Sequence, residues 1–321
     1  MKKILLASTA LILSGGMAAA QGLSIGGQGR MGIQYQSGSP FITTTGTSSY
    51  RTEARLQLNF AATVQADHGL TFGAFTRARI QTNDGSGMTG FGAPAGAAGT
   101  PTTNEFSGAR VWAEAEGFRL TFGNQDGAIT TTGTAMGYLG GCGIGYEGGQ
   151  QCGDSVGLLG AVSWFNSRGA TGVNAGGQQT IQAQYTFGDF AGAVSTERGR
   201  GYEIAARGRF DAITVAAGYQ SRRGGSARVA TVSAFYNGGD WGVGAIVARI
   251  AAGAPAVTNF TVSGNVDVGG GNLYGYAGRV GRSTAYGVSY GFGLGGGARV
   301  VAGAERVTGN TTASVGVVFN F

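Results

Sequence analysis

Apolar and polar residues alternate along short segments of this chain, and this alternation constrains the fold more than any other feature. In the last segment, TTASVGVVFNF (311–321), every second residue lies on one apolar face. That face consists of Ala313, Val315, Val317, Phe319 and Phe321. Side chains alternate across a strand, so the segment is typical of a strand with one apolar face. If it pairs with the first strand, the sheet closes and loses both edges, as a sheet in lipid requires. The sequence therefore predicts an all-β fold, a closed antiparallel transmembrane β-barrel.

The first twenty residues are expected to form a separate unit. Lys2 and Lys3 precede an apolar run, 4–13, and small residues follow up to Ala20. This order predicts a signal peptide over residues 1–20, which leaves 21–321 as a single barrel domain. The run is too short for a transmembrane helix. No later segment has the roughly 20 continuous apolar residues that such a helix needs, which excludes a helical membrane protein.

The composition is unusual for a soluble domain. Charged residues make up 12% of the chain, about half the usual share. Glycine is abundant, at 65 of 321 residues, but aromatic residues reach 10%, which argues against disorder. Without Lys2 and Lys3 the chain has 20 arginines and 16 acidic residues, a net charge of about +4.

The alternating segments number sixteen, five before a long insertion at 124–177 and eleven after it. They are 23–36, 51–66, 70–82, 105–116, 118–122, 178–187, 190–198, 202–210, 212–221, 226–237, 241–250, 257–267, 272–282, 284–293, 298–307 and 311–321. An even number brings both ends of a closed barrel to the same side. Residues 156–165 are apolar enough for a further strand, so eighteen strands are the alternative. A barrel of this size leaves an aqueous channel.

Five arginines fall on the predicted inner face of the first four segments: Arg30, Arg55, Arg77, Arg79 and Arg110. Clustered guanidinium groups in a narrow channel attract anions, because low-dielectric walls focus the field. The alternative is that they are paired with Glu53, Glu114, Glu116 or Glu203. Trp112 is also predicted to point into the lumen.

Cys142 and Cys152 are the only cysteines, and an even number in an exported chain predicts a disulfide. Two reduced thiols are the alternative. A metal site is not expected, because the single histidine, His68, is distant in sequence. His68 lies in a predicted turn beside Asp67, where no nucleophile or pocket converges, so we expect no catalytic site, no cofactor and no enzyme activity. The G-x-G patterns in GGCGIGYEGG lack the strand and helix of a nucleotide site, and no nucleic-acid partner is expected.

Several stretches resemble the general porins of Gram-negative outer membranes, most closely the alphaproteobacterial branch. They are the signal peptide, LSIGGQGRMGIQY, RTEARLQLNFAATVQADHGLTFGAF, YGVSYGFGLGGGARVVAG and the terminal VGVVFNF. The resemblance implies a passive channel for small polar solutes and ions. It also implies a homotrimer in the lipid bilayer of the outer membrane, and a third external loop folded into the lumen.

The same resemblance assigns roles to individual residues. The five arginines match the basic cluster of the pore wall, and Glu53 and Glu114 are inner-face acids. Loop 124–177 supplies Asp126, Glu147 and Asp154, and Phe321 matches the signal read by the outer-membrane assembly machinery. The loop departs from the family in being glycine-rich, poor in acids and provided with its own cysteine pair. A sugar- or anion-selective channel is the alternative function, and an outer-membrane enzyme is a weaker one.

Overall fold

A computed structural model describes residues 22–37, 41–43, 46–83, 87–89, 108–133, 179–199, 201–222, 228–251, 255–307 and 309–321. Sixteen antiparallel strands form one closed sheet in which each strand pairs with the next along the chain. They are β1 (Gly22–Gln36), β4 (Tyr50–Gln65), β5 (Thr71–Asn83), β7 (Arg110–Ala115), β8 (Phe118–Gly123), β9 (Thr180–Phe187), β10 (Phe190–Glu197), β11 (Gly201–Phe210), β12 (Ile213–Arg222), β13 (Arg228–Asn237), β14 (Trp241–Ala251), β15 (Val257–Val268), β16 (Gly271–Val280), β17 (Ser283–Gly295), β18 (Ala298–Val307) and β19 (Asn310–Asn320). The predicted sixteen-stranded barrel is confirmed.

Besides a 3-10 turn at Asp67–Gly69, the described connections contain four short elements that the alternation did not predict. Strands β2 (Phe41–Thr43) and β3 (Gly46–Ser48) pair with each other, and β6 (Gly87–Thr89) extends the sheet beside β5. A single helical turn, α1 (Ala128–Thr131), opens the long insertion. No helix among the described residues is long and apolar enough to cross a membrane.

The seam between β1 and β19 closes the barrel. Residues 28–36 pair with 312–320 in reverse order. The Gly27 N–H donates to the Phe321 carbonyl at 2.7 Å, and the Phe321 N–H donates back to the Gly27 carbonyl at 3.1 Å. On the outer face of the seam, the Phe319 ring covers Gly29 so closely that a Cβ there would overlap it. Glycine is therefore required opposite this aromatic residue.

The two ends of the barrel differ in their connections. At the end that holds Gly22 and Phe321, the strands are joined by short turns. The turn between β7 and β8 consists of Glu116 and Gly117, both with positive φ (48° and 81°), as a two-residue hairpin with right-handed twist requires. At the opposite end the connections 37–49, 84–109 and 124–179 are long. Membrane barrels place short turns on the periplasmic side and longer loops outside.

Apolar side chains cover the outside of the wall, and polar ones line the inside. Ile25, Val247 and Phe210 are among the half-exposed outward residues, whereas the inward Gln34 and Gln220 are fully buried. Aromatic pairs mark two levels on the outer face. Tyr202 and Tyr219 (ring centroids 6.3 Å apart) lie at the long-loop end, and Tyr236 and Trp241 (5.1 Å) lie at the short-turn end. This arrangement is typical of the aromatic belts at the two interfaces of a membrane.

Candidate functional site: the inner wall of the barrel

One sector of the inner wall is basic. Strands β1, β4, β5 and β7 carry six arginines there: Arg30, Arg51, Arg55, Arg77, Arg79 and Arg110. Arg30 lies directly opposite Arg55 across the β1–β4 pair. The structure thus brings the five arginines named from the sequence onto one sector. It also places Arg51 there. Arg51 lies four residues before Arg55 on β4, and the same alternation could have identified it as an inward residue.

Neutral amides hold several of these guanidinium groups. Arg79 donates from Nε and Nη2 to the Gln57 Oε1 at 3.2 and 2.8 Å. Arg51 Nε donates to Gln34 Oε1 at 2.9 Å, and Arg30 Nε donates to its neighbour Gln28 at 2.8 Å. An amide acceptor orients a guanidinium without cancelling its charge.

Aromatic rings inside the lumen support further arginines. The guanidinium carbon of Arg110 lies 4.3 Å from the centroid of the Phe75 ring, and that of Arg77 lies 6.0 Å from it. The Arg119 guanidinium lies 5.3 Å from the Trp112 ring centroid. These distances fit cation–π attraction.

Trp112 faces the lumen and packs against a glycine of the neighbouring strand. Its cross-strand partner is Gly73 on β5, and a Cβ at Gly73 would overlap the indole. The absence of a side chain at Gly73 leaves room for the ring to lie flat against the wall. The inward direction of Trp112 follows from the alternation, but its packing depends on the pairing of β5 with β7.

Strands β9, β10 and β11, further round the wall, bind the start of the long insertion. The Ala128 N–H donates to Ser195 Oγ at 2.9 Å, and the Ile129 N–H donates to Glu203 Oε2 at 3.0 Å. Gly127, which precedes α1, has no Cβ that would collide with the Glu203 carboxylate. Ser195 and Glu203 are inward residues of β10 and β11, so the barrel wall itself satisfies the first amides of α1.

A small apolar cluster fastens α1 to this sector. Ile129 is fully buried and packs in a group of inward side chains from β10, β11, β13 and β14. The members of this group are Ala193, Ala205, Val229, Ile246 and Ala248. Gln182 on β9 adds a polar clamp, because its Nε2 donates to the Asp126 carbonyl at 2.9 Å and to Thr131 Oγ1 at 3.0 Å. Residues 124–133 therefore run along the inside of the barrel.

The acidic residues named from the sequence occupy different environments. Glu114 on β7 binds Arg119 on β8, with Nε 2.6 Å from Oε2, near the short-turn end. Asp126 lies close enough to Arg110 to interact electrostatically. Glu53 lies on β4 opposite Gly32. Glu147, Asp154, Cys142 and Cys152 lie outside the described residues, as do residues 1–20 and 156–165.

Two buried acids lie on the part of the wall that binds α1. Glu203 is fully buried and Glu197 is nearly so. The two carboxyl groups interact electrostatically with each other, and Glu203 also interacts with Asp126. From the sequence, Glu203 is predicted only as a possible arginine partner, and no role is predicted for Glu197. Their alternate positions on β10 and β11 mark them as inward, but only the fold places them beside α1.

Polar side chains also line the inner wall on β12 and β13. Gln220 on β12 and Thr231 and Ser233 on β13 have buried hydrogen-bonding atoms without a partner in the described part of the protein. Buried polar atoms of this kind are normally hydrated. The inner wall is therefore polar along these strands as well.

Comparison with known proteins agrees with this geometry. A family model of Gram-negative porins matches residues 7–312. A porin of Fuscovulum blasticum is 27% identical over 326 residues, covering 93% of this chain and 100% of that protein. Two solved structures each match 93% of this chain and 100% of their own chains. One is a triple mutant of the Rhodopseudomonas blastica porin (25% identity, TM-score 0.71), and the other is a further engineered variant of that porin (26% identity, TM-score 0.73).

The match extends over nearly the whole chain, and the closed barrel, its polar inner wall and its apolar outer wall are those of a channel. The protein therefore belongs to the Gram-negative porin family and forms a general diffusion channel for small hydrophilic solutes in the outer membrane.

Proposed function

We propose that this channel prefers small anions, and that the basic sector of β1, β4, β5 and β7 causes the preference. The proposal rests on one observation above all: six inward arginines share one sector, and glutamine side chains hold three of them. Like charges that are close together raise the local potential, and a low-dielectric wall focuses it. Asp126, which interacts electrostatically with Arg110, places a negative charge beside this sector, and the resulting field also orients dipolar solutes.

The ion preference is measured as a reversal potential in a salt gradient across a planar bilayer. Wild-type protein is expected to favour chloride over potassium. A triple variant, Arg77→Gln, Arg79→Gln and Arg110→Gln, is expected to move the reversal potential towards cation preference.

Arg209→Gln with Arg299→Gln serves as the control, because both arginines lie on β11 and β18 near the periplasmic mouth. Their loss is expected to move the reversal potential much less per charge removed. Cation preference in the wild type, or equal shifts per charge in both variants, would contradict the role of the basic sector.

A substrate-selective channel is the second candidate. It is favoured by aromatic rings in the lumen, since Phe75 and Trp112 lie beside arginines and Tyr274 and Tyr276 lie on the facing side of the barrel. Stacked rings and guanidinium groups are suited to sugars or to planar anions. Solute flux into liposomes distinguishes the two candidates, because a general channel conducts in proportion to concentration and a selective channel saturates with one solute.

The remaining expectations are also proposed. The homotrimer is supported by the family resemblance and by the outward faces of β1, β4 and β5, which carry no charge. Size measurement by light scattering, with conductance steps in threes, tests it. Cleavage of residues 1–20 and a disulfide between Cys142 and Cys152 are tested by intact mass before and after reduction. Recognition of Phe321 by the assembly machinery is tested by the outer-membrane yield of Phe321→Ala.

The absence of catalytic activity is proposed on the same basis. His68 lies exposed in the periplasmic turn between β4 and β5. Hydrolysis of ester or peptide probes by the purified protein, lost in His68→Ala, would overturn it.

A further inference from the structure

Two aromatic rings face the lumen on the basic sector, and an anion preference alone does not require them. Phe75 on β5 and Trp112 on β7 both occupy inward positions, and both are half-buried. Neither belongs to a buried apolar cluster of the described residues, whereas Tyr274 and Tyr276 on the inner wall of β16 do. A ring that stays partly exposed on an aqueous wall gains only part of the stabilisation of burial, so it is available for contact with a solute.

Strand pairing places the two rings in one row with arginines. Arg110 lies directly opposite Phe75 across the β5–β7 pair, and Trp112 lies two residues further towards the periplasmic end of β7. Arg119 is the second residue of β8, next to the periplasmic turn. Arg77 lies two residues from Phe75 on β5, on its external side. We call these five residues the aromatic–arginine row, which runs down the inner wall to the periplasmic mouth.

A guanidinium group lies beside each ring of the row. The Cζ atom of Arg110 is 4.3 Å from the centroid of the Phe75 ring, and that of Arg77 is 6.0 Å from it. The Cζ atom of Arg119 is 5.3 Å from the centroid of the Trp112 ring. Positive charge and flat apolar surface therefore alternate within a few ångströms. A solute that bears a carboxylate directly on a flat ring can contact both at once.

The periplasmic end of the row can exchange one carboxylate for another. Glu114 binds Arg119 through Nε and Nη2, and the Arg119 side chain is 44% exposed. Partly exposed ion pairs of this kind are weak, and a guanidinium has two further N–H donors on its Nη1. An incoming carboxylate can therefore bind Arg119 in place of Glu114.

We propose that the aromatic–arginine row binds aromatic monocarboxylates as they pass through the channel. The guanidinium groups bind the carboxylate through paired N–H donors. The ring of the solute packs edge-to-face or offset against Phe75 or Trp112. An aliphatic anion makes only the first contact, and a neutral aromatic solute makes only the second. This inference rests on the proposed anion preference and names the class of anion that the row selects.

Block of the chloride current through the channel in a planar bilayer tests the row. Benzoate is the probe. It is compared with cyclohexanecarboxylate, which has the same charge and a similar size but no flat ring, and with benzamide, which is aromatic and neutral. Benzoate is expected to halve the conductance at a concentration about fivefold lower than cyclohexanecarboxylate does. Benzamide is expected to leave the conductance unchanged.

The double variant Phe75→Leu with Trp112→Leu keeps apolar side chains but removes both rings. Its half-blocking concentration of benzoate is expected to rise to that of cyclohexanecarboxylate. Phe235→Leu is the matched control, because Phe235 is also inward and half-buried but lies on β13, outside the row, over Gly244. Its benzoate block is expected to equal that of the wild type.

The proposal is overturned if benzoate and cyclohexanecarboxylate block the wild type at equal concentrations, or if benzamide blocks as benzoate does. It is also overturned if the double variant keeps the wild-type preference for benzoate, or if Phe235→Leu loses that preference equally. Folding of each variant is checked by its band shift on unheated gels. If the double variant does not fold, Phe75→Leu and Trp112→Leu are measured singly, and an unchanged preference in both overturns the proposal.

The reversal potential in a potassium chloride gradient separates this inference from the proposed anion preference. The double variant changes no charge, so its reversal potential is expected to equal that of the wild type. A wild-type channel that prefers potassium would contradict the proposed function. A wild-type channel that prefers chloride but does not distinguish benzoate from cyclohexanecarboxylate would overturn this inference alone.

Discussion

Replacement of Ile129 by alanine tests whether the wall holds the start of the long insertion inside the barrel. Ile129 is fully buried against Ala193, Ala205 and Val229. Truncation of a fully buried isoleucine to alanine costs about 2–4 kcal/mol where the site cannot collapse. The surrounding strands are part of a closed sheet, so we expect little collapse and a cost in this range for keeping α1 on the wall.

Hydrogen exchange of the amides in α1 measures this cost directly. The Ala128 and Ile129 N–H groups bind Ser195 and Glu203, so they exchange only when α1 leaves the wall. A loss of 2–4 kcal/mol corresponds to exchange that is faster by about 30- to 1,000-fold, or to complete loss of protection. Exchange of the strand amides is expected to remain as in the wild type.

Ile181→Ala is the matched control, because Ile181 on β9 faces outward and is half exposed. It removes the same atoms without touching α1, and its α1 amides should exchange like those of the wild type. Glu203→Ala removes the acceptor of the Ile129 N–H and is expected to cost about 1–3 kcal/mol by the same measurement. Unchanged exchange in both Ile129→Ala and Glu203→Ala would refute the anchoring of α1.

Three further predictions concern glycines and an ion pair. Gly29→Ala places a methyl group in the Phe319 ring and should lower the temperature at which the band of the folded protein is lost on gels. Gly293→Ala, which has open space around it, should not lower that temperature. Restored stability in the double variant Gly29→Ala with Phe319→Ala would support the overlap, and unchanged stability in Gly29→Ala would contradict it. Gly117→Ala should destabilise the barrel more than Gly69→Ala. Both glycines have φ near +80°, but only at Gly117 would a Cβ meet the Thr186 carbonyl. Equal melting temperatures of the two variants would contradict this. Glu114→Gln should cost less than about 1 kcal/mol and less still in high salt, because its pair with Arg119 is partly exposed; a larger, salt-independent loss in denaturant titration would mean that the pair has another role.

The long insertion shows where prediction from the sequence stops. Residues 124–177 have no alternation, and the sequence indicates only that the segment is a loop. The structure shows that its first residues form α1 and bind Ser195, Gln182 and Glu203 on three different strands. These partners lie more than 50 positions away along the chain, so no local pattern brings them together.

The sequence by itself predicted sixteen strands, with eighteen as the alternative, and determined the face on which each side chain lies. The reason is local: a strand alternates its side chains with period two, so the pattern in 311–321 already assigns Val315 to lipid and Ser314 to the lumen. Tertiary structure decided what each side chain meets across the sheet. Phe319 over Gly29, Trp112 over Gly73 and Ile129 on the far wall all depend on strand register and on closure of the barrel. Register and closure arise only when distant segments pair, and a single strand carries no record of its partner.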